Sequence, residues 1–138
     1  MVLKDNVLDT KTYINLRDKV GWKPLTDEQA HKAIENSLLT IVAYDGELPV
    51  GMARIVGDGA VICYIQDLIV IPEYQGKGVG QMLMESLIDF VKEIQLPNTQ
   101  IMLDLMCAVG RESFYKKYGF IARPTDKLGP GMVQYINK

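Results

Sequence analysis

The sequence is poor in the residues that usually advertise chemistry. Its 138 residues include two cysteines, one histidine and one tryptophan. Cys63 and Cys107 stand in no CxxC or Cys/His spacing, so neither a disulfide framework nor a zinc centre is expected, and no metal site is assigned. Both thiols fall in apolar runs, where free cysteine packs as a small hydrophobe, and both are expected in the core. Cys107 has no histidine partner and is not read as a nucleophile. His31, on an expected helix, has no serine or cysteine motif beside it and is read as a surface or locally bonded side chain. No charge of one sign dominates: the net charge is −2, and no basic stripe points to nucleic acid. No apolar run approaches the roughly 20 residues of a membrane-spanning helix. Charge as early as Lys4 and Asp5 argues against a signal peptide, so the expected location is the reducing cytoplasm.

What remains is ordinary globular material. Hydrophobic residues make up 48% of the chain, enough for one core without staples, and residues 1–138 read as a single domain. Asp9 or Thr10 can cap a first helix that Gly21 ends. Thr26 and Gln29 have capping-box spacing for a second, reaching about Asn36. The period then changes. Leu38 to Tyr44, Leu48 to Val56 and Val61 to Ile71 read as an antiparallel meander, with turns at Asp45-Gly46 and Gly57-Asp58-Gly59. The last of these strands is apolar on both faces apart from Tyr64, Gln66 and Asp67, the pattern of a strand covered on two sides. A helix follows from about Gly78 to Glu93. Ile101 to Cys107 reads as a strand, Arg111 to Tyr118 as a short helix, and Phe120-Ile121 with Met132 to Ile136 as a closing hairpin. The fold class is α+β.

The segment with chemical content is Gln75-Gly76-Lys77-Gly78-Val79-Gly80, between a strand and a helix. Its three glycines bare the first N–H groups of the helix and let a phosphate approach the backbone. The helix dipole adds positive potential there, and Lys77 adds a charge at the rim. A triphosphate loop would need Lys-Ser/Thr after the final glycine, but Gln81-Met82 stand there. A dinucleotide loop would need Gly-x-Gly-x-x-Gly on the first strand of a parallel sheet, and here the spacing is Gly-x-Gly-x-Gly after a meander. Gln75, Gly78 and Gly80 match the remaining pattern, Gln-x-x-Gly-x-Gly.

That pattern resembles the coenzyme A loop of the GCN5-related N-acetyltransferase (GNAT) superfamily. A second segment, Phe114-Tyr115-Lys116-Lys117-Tyr118-Gly119-Phe120, resembles the family's Phe-Tyr-x-x-x-Gly-Phe. The resemblance implies a mixed central sheet of about six to seven strands with four helices, its fourth and fifth strands splayed. It implies acetyl-CoA as cosubstrate, with Leu68, Ile69 and Val70 offering backbone groups to the pantetheine arm and acetyl carbonyl, and Gln75 to Gly80 holding the pyrophosphate. Tyr115 corresponds to the family's general acid for the departing thiolate, with packing against the cofactor as its other reading. The implied activity is direct acetyl transfer to a primary amine; a non-catalytic acetyl-CoA sensor is the alternative.

The base is not evident. Tyr64 and Gln66 occupy the matching strand positions and are assigned a water relay. Asp67 should face the other way unless the strand is bulged, and Asp104 offers a second strand-borne carboxylate; a paired structural role is open for both. Leu105-Met106-Cys107 followed by Phe114-Tyr115 resembles the arylalkylamine branch, although Ala108-Val109-Gly110-Arg111 departs from it. A small amine is expected as acceptor, ahead of a protein amine. It would be lined by the first two helices and the loop Pro124 to Gly131, with Trp22, Tyr13 and Tyr44 as candidate apolar surface. A homodimer is a possibility that the resemblance carries.

Overall fold

The structure, a computed structural model, describes residues 1–138 as two compact units, Met1–Asp104 and Leu105–Lys138. The sheet runs in the order β1 (Val2–Asp5), β2 (Leu39–Asp45), β3 (Leu48–Gly57), β4 (Ile62–Val70) and β5 (Met102–Leu105). The first four strands pair antiparallel, as the turn residues require. Met102 N–H donates to Val61 O at 3.0 Å. Strands β4 and β5 therefore start side by side and run in the same direction, which makes the sheet mixed. With four residues, β5 can flank only the first half of β4, and the stretch Leu68–Val70 lies beyond it.

Helices cover both faces. Helix α1 (Thr10–Lys19) starts where Asp9 accepts Thr12 N–H at 2.7 Å, and α2 (Asp27–Glu35) where Thr26 Oγ1 accepts Gln29 N–H at 3.0 Å. Both satisfy a first-turn donor that would otherwise be orphaned. Helix α3 (Val79–Ile94) buries Val79, Leu83, Met84, Leu87 and Val91, a stripe at helical spacing. Because β2 and β3 lie under helices on both sides, Ile41, Val42, Met52, Ala53 and Ile55 are all fully buried. Residues opposite one another across an antiparallel ladder share a face. Arg54 and Met52 turn toward α1 and α2, where Arg54 bonds Ser37 Oγ, whereas a Cβ on Gly51 would meet Val79 and Leu83 of α3.

Strand β4 carries a bulge. Arg54 pairs with Asp67, but the next residue, Ile55, pairs with Ile65, so Gln66 is the extra residue. The bulge resets the alternation: Ile65 and Cys63 share the α3 face, and Asp67 joins Tyr64 and Ile69 on the face of α1 and α2. Simple alternation from Tyr64 and Gln66, which sets Asp67 on the opposite side, does not survive the added residue.

The second unit holds the end of β5, helix α4 (Glu112–Lys116) and an aromatic group. Five strands form rather than six to seven. The closing hairpin is absent: Ile121 is 70% exposed, Met132 89% and Ile136 85%, and neither segment has a strand partner. Cys107 also departs from expectation. Strand β5 stops at Leu105, leaving Cys107 exposed, while Cys63 is buried as its apolar run requires.

Candidate functional site

The loop after β4 is shaped by its own residues. Pro72–Tyr74 makes one 3₁₀ turn, and Gln75 folds back, donating its N–H to Pro72 O at 3.3 Å and its side-chain amide to Val70 O at 2.9 Å. Both donors of Gln75 used in this way serve the loop's shape. Tyr74 donates its hydroxyl to Asp45 at the end of β2, and Lys77 Nζ lies 5.1 Å from the Tyr74 ring centre. Gly76 and Gly78 then adopt φ of 75° and 85°, a left-handed backbone that suits glycine. Around both, the space a Cβ would enter is open.

Gly78 is the N-cap of α3, and no side chain caps that end. The first helical bond is Met82 N–H to Gly78 O at 3.1 Å, so the N–H groups of Val79, Gly80 and Gln81 precede the intrahelical pattern. A sixteen-residue helix with a bare, glycine-lined start is a fitting cradle for a diphosphate. The residues present therefore fit the phosphate part of acetyl-CoA. Immediately upstream, Leu68, Ile69 and Val70 pair with Ala53, Met52 and Gly51, which fixes one edge of β4 and leaves the other directed away from β3.

Of the base candidates, Tyr64 is half-buried and Gln66 exposed, and the bulge places Gln66 out of ladder register. Asp67 is not available for catalysis by its surroundings: its side chain has no exposed surface, and it accepts from Tyr13 Oη at 2.6 Å, Arg54 Nε at 2.9 Å and Arg17 Nη1 at 3.3 Å. Burial first, then the Asp67 charge, pushes the Tyr13 phenol up to about 12, so it stays a donor. Asp104 is different. Its Oδ1 is buried without a hydrogen-bond partner, and burial raises its pKa above the usual carboxylate value.

In the second unit, Tyr115 sits among aromatic rings. Phe114 meets it edge-on at 5.1 Å and Phe120 at 6.0 Å. Burial raises the Tyr115 phenol above 10, with the neighbouring Cys107 adding to the effect, so the hydroxyl keeps its proton at neutral pH. His31 pairs with Glu35 at 3.0 Å on the surface of α2.

The first two helices, expected to line the acceptor end, enclose a groove of about 770 Å³ between α1 and α2, lined by Ile14, Trp22, Pro24 and Leu25 with Asp18 and Glu28. Of the aromatic acceptor candidates, Trp22 is 39% exposed and lines this groove. Tyr13 is buried core, and Tyr44 lies under Lys4 at 5.3 Å. No helix is long and apolar enough to cross a membrane.

Comparison with known proteins gives a consistent result. The family described as "Acetyltransferase (GNAT) domain" matches residues 36–122. A GNAT-family acetyltransferase from Streptococcus pneumoniae superposes with a TM-score of 0.81 at 31% identity, covering 99% of this chain and 98% of that one. The uncharacterized N-acetyltransferase ycf52 of Porphyra purpurea is 32% identical over 138 residues, 92% of this chain and 76% of that protein. The chloroplastic serotonin N-acetyltransferase 2 of rice is 29% identical over 110 residues, 77% of this chain but only 53% of its own length. With the bare α3 start behind β4 and a family match across most of the chain, this protein belongs to the GNAT family of N-acetyltransferases.

Proposed function

We propose that this chain transfers the acetyl group of acetyl-CoA to a primary amine of a small molecule, by direct attack within a ternary complex. The observation that carries the reading is the uncapped N-terminus of α3, with Gly76 and Gly78 left-handed and open around it, directly after Leu68–Val70. Bound acetyl-CoA supplies an activated thioester. The chain supplies the rest. N–H groups of Val79, Gly80 and Gln81 hold pyrophosphate, with Gly76 and Lys77 at the rim and Gln75 setting the loop's shape. Backbone groups of Leu68, Ile69 and Val70 align the pantetheine arm and polarise the carbonyl. Tyr115, still protonated at neutral pH, donates to the leaving thiolate. The amine loses its proton through water past Tyr64 and Gln66.

Similarity to the rice enzyme supports an amine with an aromatic body, as does the resemblance of Leu105-Met106-Cys107 to the arylalkylamine branch, while Ala108-Val109-Gly110-Arg111 departs from that branch and counts against it. The location we propose is a reducing one, cytoplasm or plastid stroma, in keeping with two free thiols. That the family match spans residues 36–122, and so enters both compact units, supports their acting as one domain. A homodimer is part of the proposal. Met132, Val133, Tyr135 and Ile136 expose most of their apolar surface, and a second copy would cover them. Sedimentation of the intact chain tests it, and a purely monomeric species would refute it.

The decisive assay is release of CoA thiol from acetyl-CoA with a panel of tryptamine, spermidine, glucosamine 6-phosphate and a lysine peptide. Turnover of one small amine is expected, and Tyr115→Phe should lower it by about 100-fold while sparing CoA binding. CoA binding with no thiol release across the panel would instead support the sensor reading. An unchanged pH–rate profile in both Tyr64→Phe and Gln66→Ala would remove the water relay.

A further inference from the structure

The first unit contains a charged cluster that the reaction above does not use. Asp67 is enclosed, yet two guanidinium groups converge on it, Arg54 at 2.9 Å and Arg17 at 3.3 Å. One cation would neutralise it, and each arginine has a further attachment. Arg54 reaches the C-terminal end of α2, donating to Ala33 O and Ser37 Oγ at 3.3 and 3.2 Å. Arg17 reaches the other way, into the linker between α1 and α2. Its Nη2 donates to Lys23 O at 2.9 Å, its guanidinium lies 5.3 Å from the Trp22 ring centre, and its own carbonyl accepts Trp22 N–H at 3.0 Å. Main chain and side chain of one residue thus set the course of Trp22 and Lys23. The opposite end of the same guanidinium is fastened to the residue immediately before Leu68.

We infer that Arg17 is a positioning residue for the acceptor, tying the linker wall of the α1–α2 groove to the strand that holds the thioester. The inference rests on the acetyl-transfer reading. The linker has little else to hold it: between the helices, Trp22, Pro24 and Leu25 face the groove and contribute no hydrogen bond to the sheet. A planar fork is needed for the task. One guanidinium can bond a carboxylate with one nitrogen and a carbonyl with another while stacking on an indole, whereas a lysine ammonium is a single point that cannot span these partners. The bulge at Gln66 is a precondition, because it turns Asp67 toward α1. Arg17 touches neither reacting atom in this scheme. It acts through Trp22 and Lys23.

The test compares Arg17→Lys with Arg54→Lys, two changes that keep the charge on Asp67 but differ in whether the linker is held. Trp22 is the sole tryptophan, so acrylamide quenching of fluorescence excited selectively at tryptophan reports on the linker alone. In Arg17→Lys the quenching constant should at least double. The KM for the fastest amine of the panel should rise about tenfold, with the acetyl-CoA KM within about twofold of wild type, as a misplaced wall predicts. Arg54→Lys should lower the melting temperature and leave both the quenching and the ratio of KM values unchanged. Equal responses in the two variants would make the cluster merely structural and overturn the inference, as would unchanged quenching in Arg17→Lys. Should Arg17→Lys not fold, Trp22→Leu leaves the ion pairs intact and should raise the amine KM alone; an unmoved KM there refutes the inference too. If the wild type acetylates no amine, the transfer reading fails, while the quenching comparison still decides whether Arg17 holds the linker.

Discussion

Gly51→Ala is a one-carbon test of how α3 is seated on the sheet. A Cβ built on Gly51 would lie 2.8 Å from the carbonyl oxygen of Ile69, 3.3 Å from Val79 Cγ1 and 3.4 Å from Leu83 Cδ1. The two side-chain contacts can relax by small rotations. The backbone carbonyl cannot, because Ile69 is held in the β3–β4 ladder opposite Met52. Relief therefore requires strand or helix to move by several tenths of an ångström, an overpacking cost of about 1–3 kcal/mol. For 138 residues the unfolding entropy is roughly 0.29 kcal/mol/K, so the melting temperature should fall by about 3–10 °C. Function should suffer as well, since the atoms that must move are Ile69 on the cofactor strand and Val79 in the first turn of α3. Calorimetry with a parallel CoA titration measures both. Gly129→Ala, with ordinary φ and nothing within 4 Å of the new carbon, is the matched control and should change stability by no more than about 0.5 kcal/mol. A Gly51→Ala protein melting within a degree of wild type would show that α3 does not rest on the sheet as closely as argued.

Further outcomes follow from single features. Gly78→Ala meets no steric obstacle, but its φ of 85° should cost about 1–2 kcal/mol, and a methyl group beside the helix start should weaken CoA binding by about tenfold in calorimetric titration. Asp104→Asn should stabilise the protein at pH 7. Burial raises this carboxyl's folded pKa above 3.8, so the ionised form penalises the fold at higher pH and the penalty disappears below the unfolded value; melting curves of the two proteins should converge near pH 3.5, and a gap that widens in acid would refute the assignment. Gln66→Ala should be neutral in stability, because the side chain is exposed; deleting Gln66, the extra residue, makes Arg54–Asp67 and Ile55–Ile65 consecutive pairs of a regular ladder and keeps Asp67 on the face of α1 and α2, so the deletion variant should still fold, and an unfolded one would show that the bulge itself is required.

The strands and main helices were legible because their signals are local. Thr26 with Gln29 and Asp9 with Thr12 each specify a boundary through a bond among neighbours, the Asp45-Gly46 turn does so through its glycine, and these boundaries lie within a residue or two of their expected places. The glycine loop was legible for the same reason: the backbone conformation of Gly76 and Gly78 depends on the absence of their own side chains. The end of the chain was not. Phe120-Ile121 and Met132 to Ile136 have strand-like composition, but a strand needs a partner, and composition does not report one. Cys107 was misplaced by the same logic, since an apolar neighbourhood in sequence guarantees burial only while the strand continues.

The least legible feature has the widest consequences. Nothing in Ile62–Val70 announces an extra residue, because a bulge is a mismatch between two strands and β4 alone carries no record of it. Yet one unpaired position decides which face receives the carboxylate. Were Gln66 instead paired in regular register with Cys63–Ile65, Asp67 would enter an apolar layer formed by Val79, Leu83 and Leu87, where an unpaired charge is strongly destabilising. With the bulge, Asp67 meets Tyr13, Arg17 and Arg54, none of which is near it in sequence. Those three residues are therefore intelligible only together with the bulge: two arginines and a tyrosine beneath the helices would leave buried donors without an acceptor if the strand were regular. The aspartate that alternation places on the wrong side for a base thus becomes, through a backbone irregularity, the anchor joining α1 and α2 to the strand that leads into the coenzyme loop.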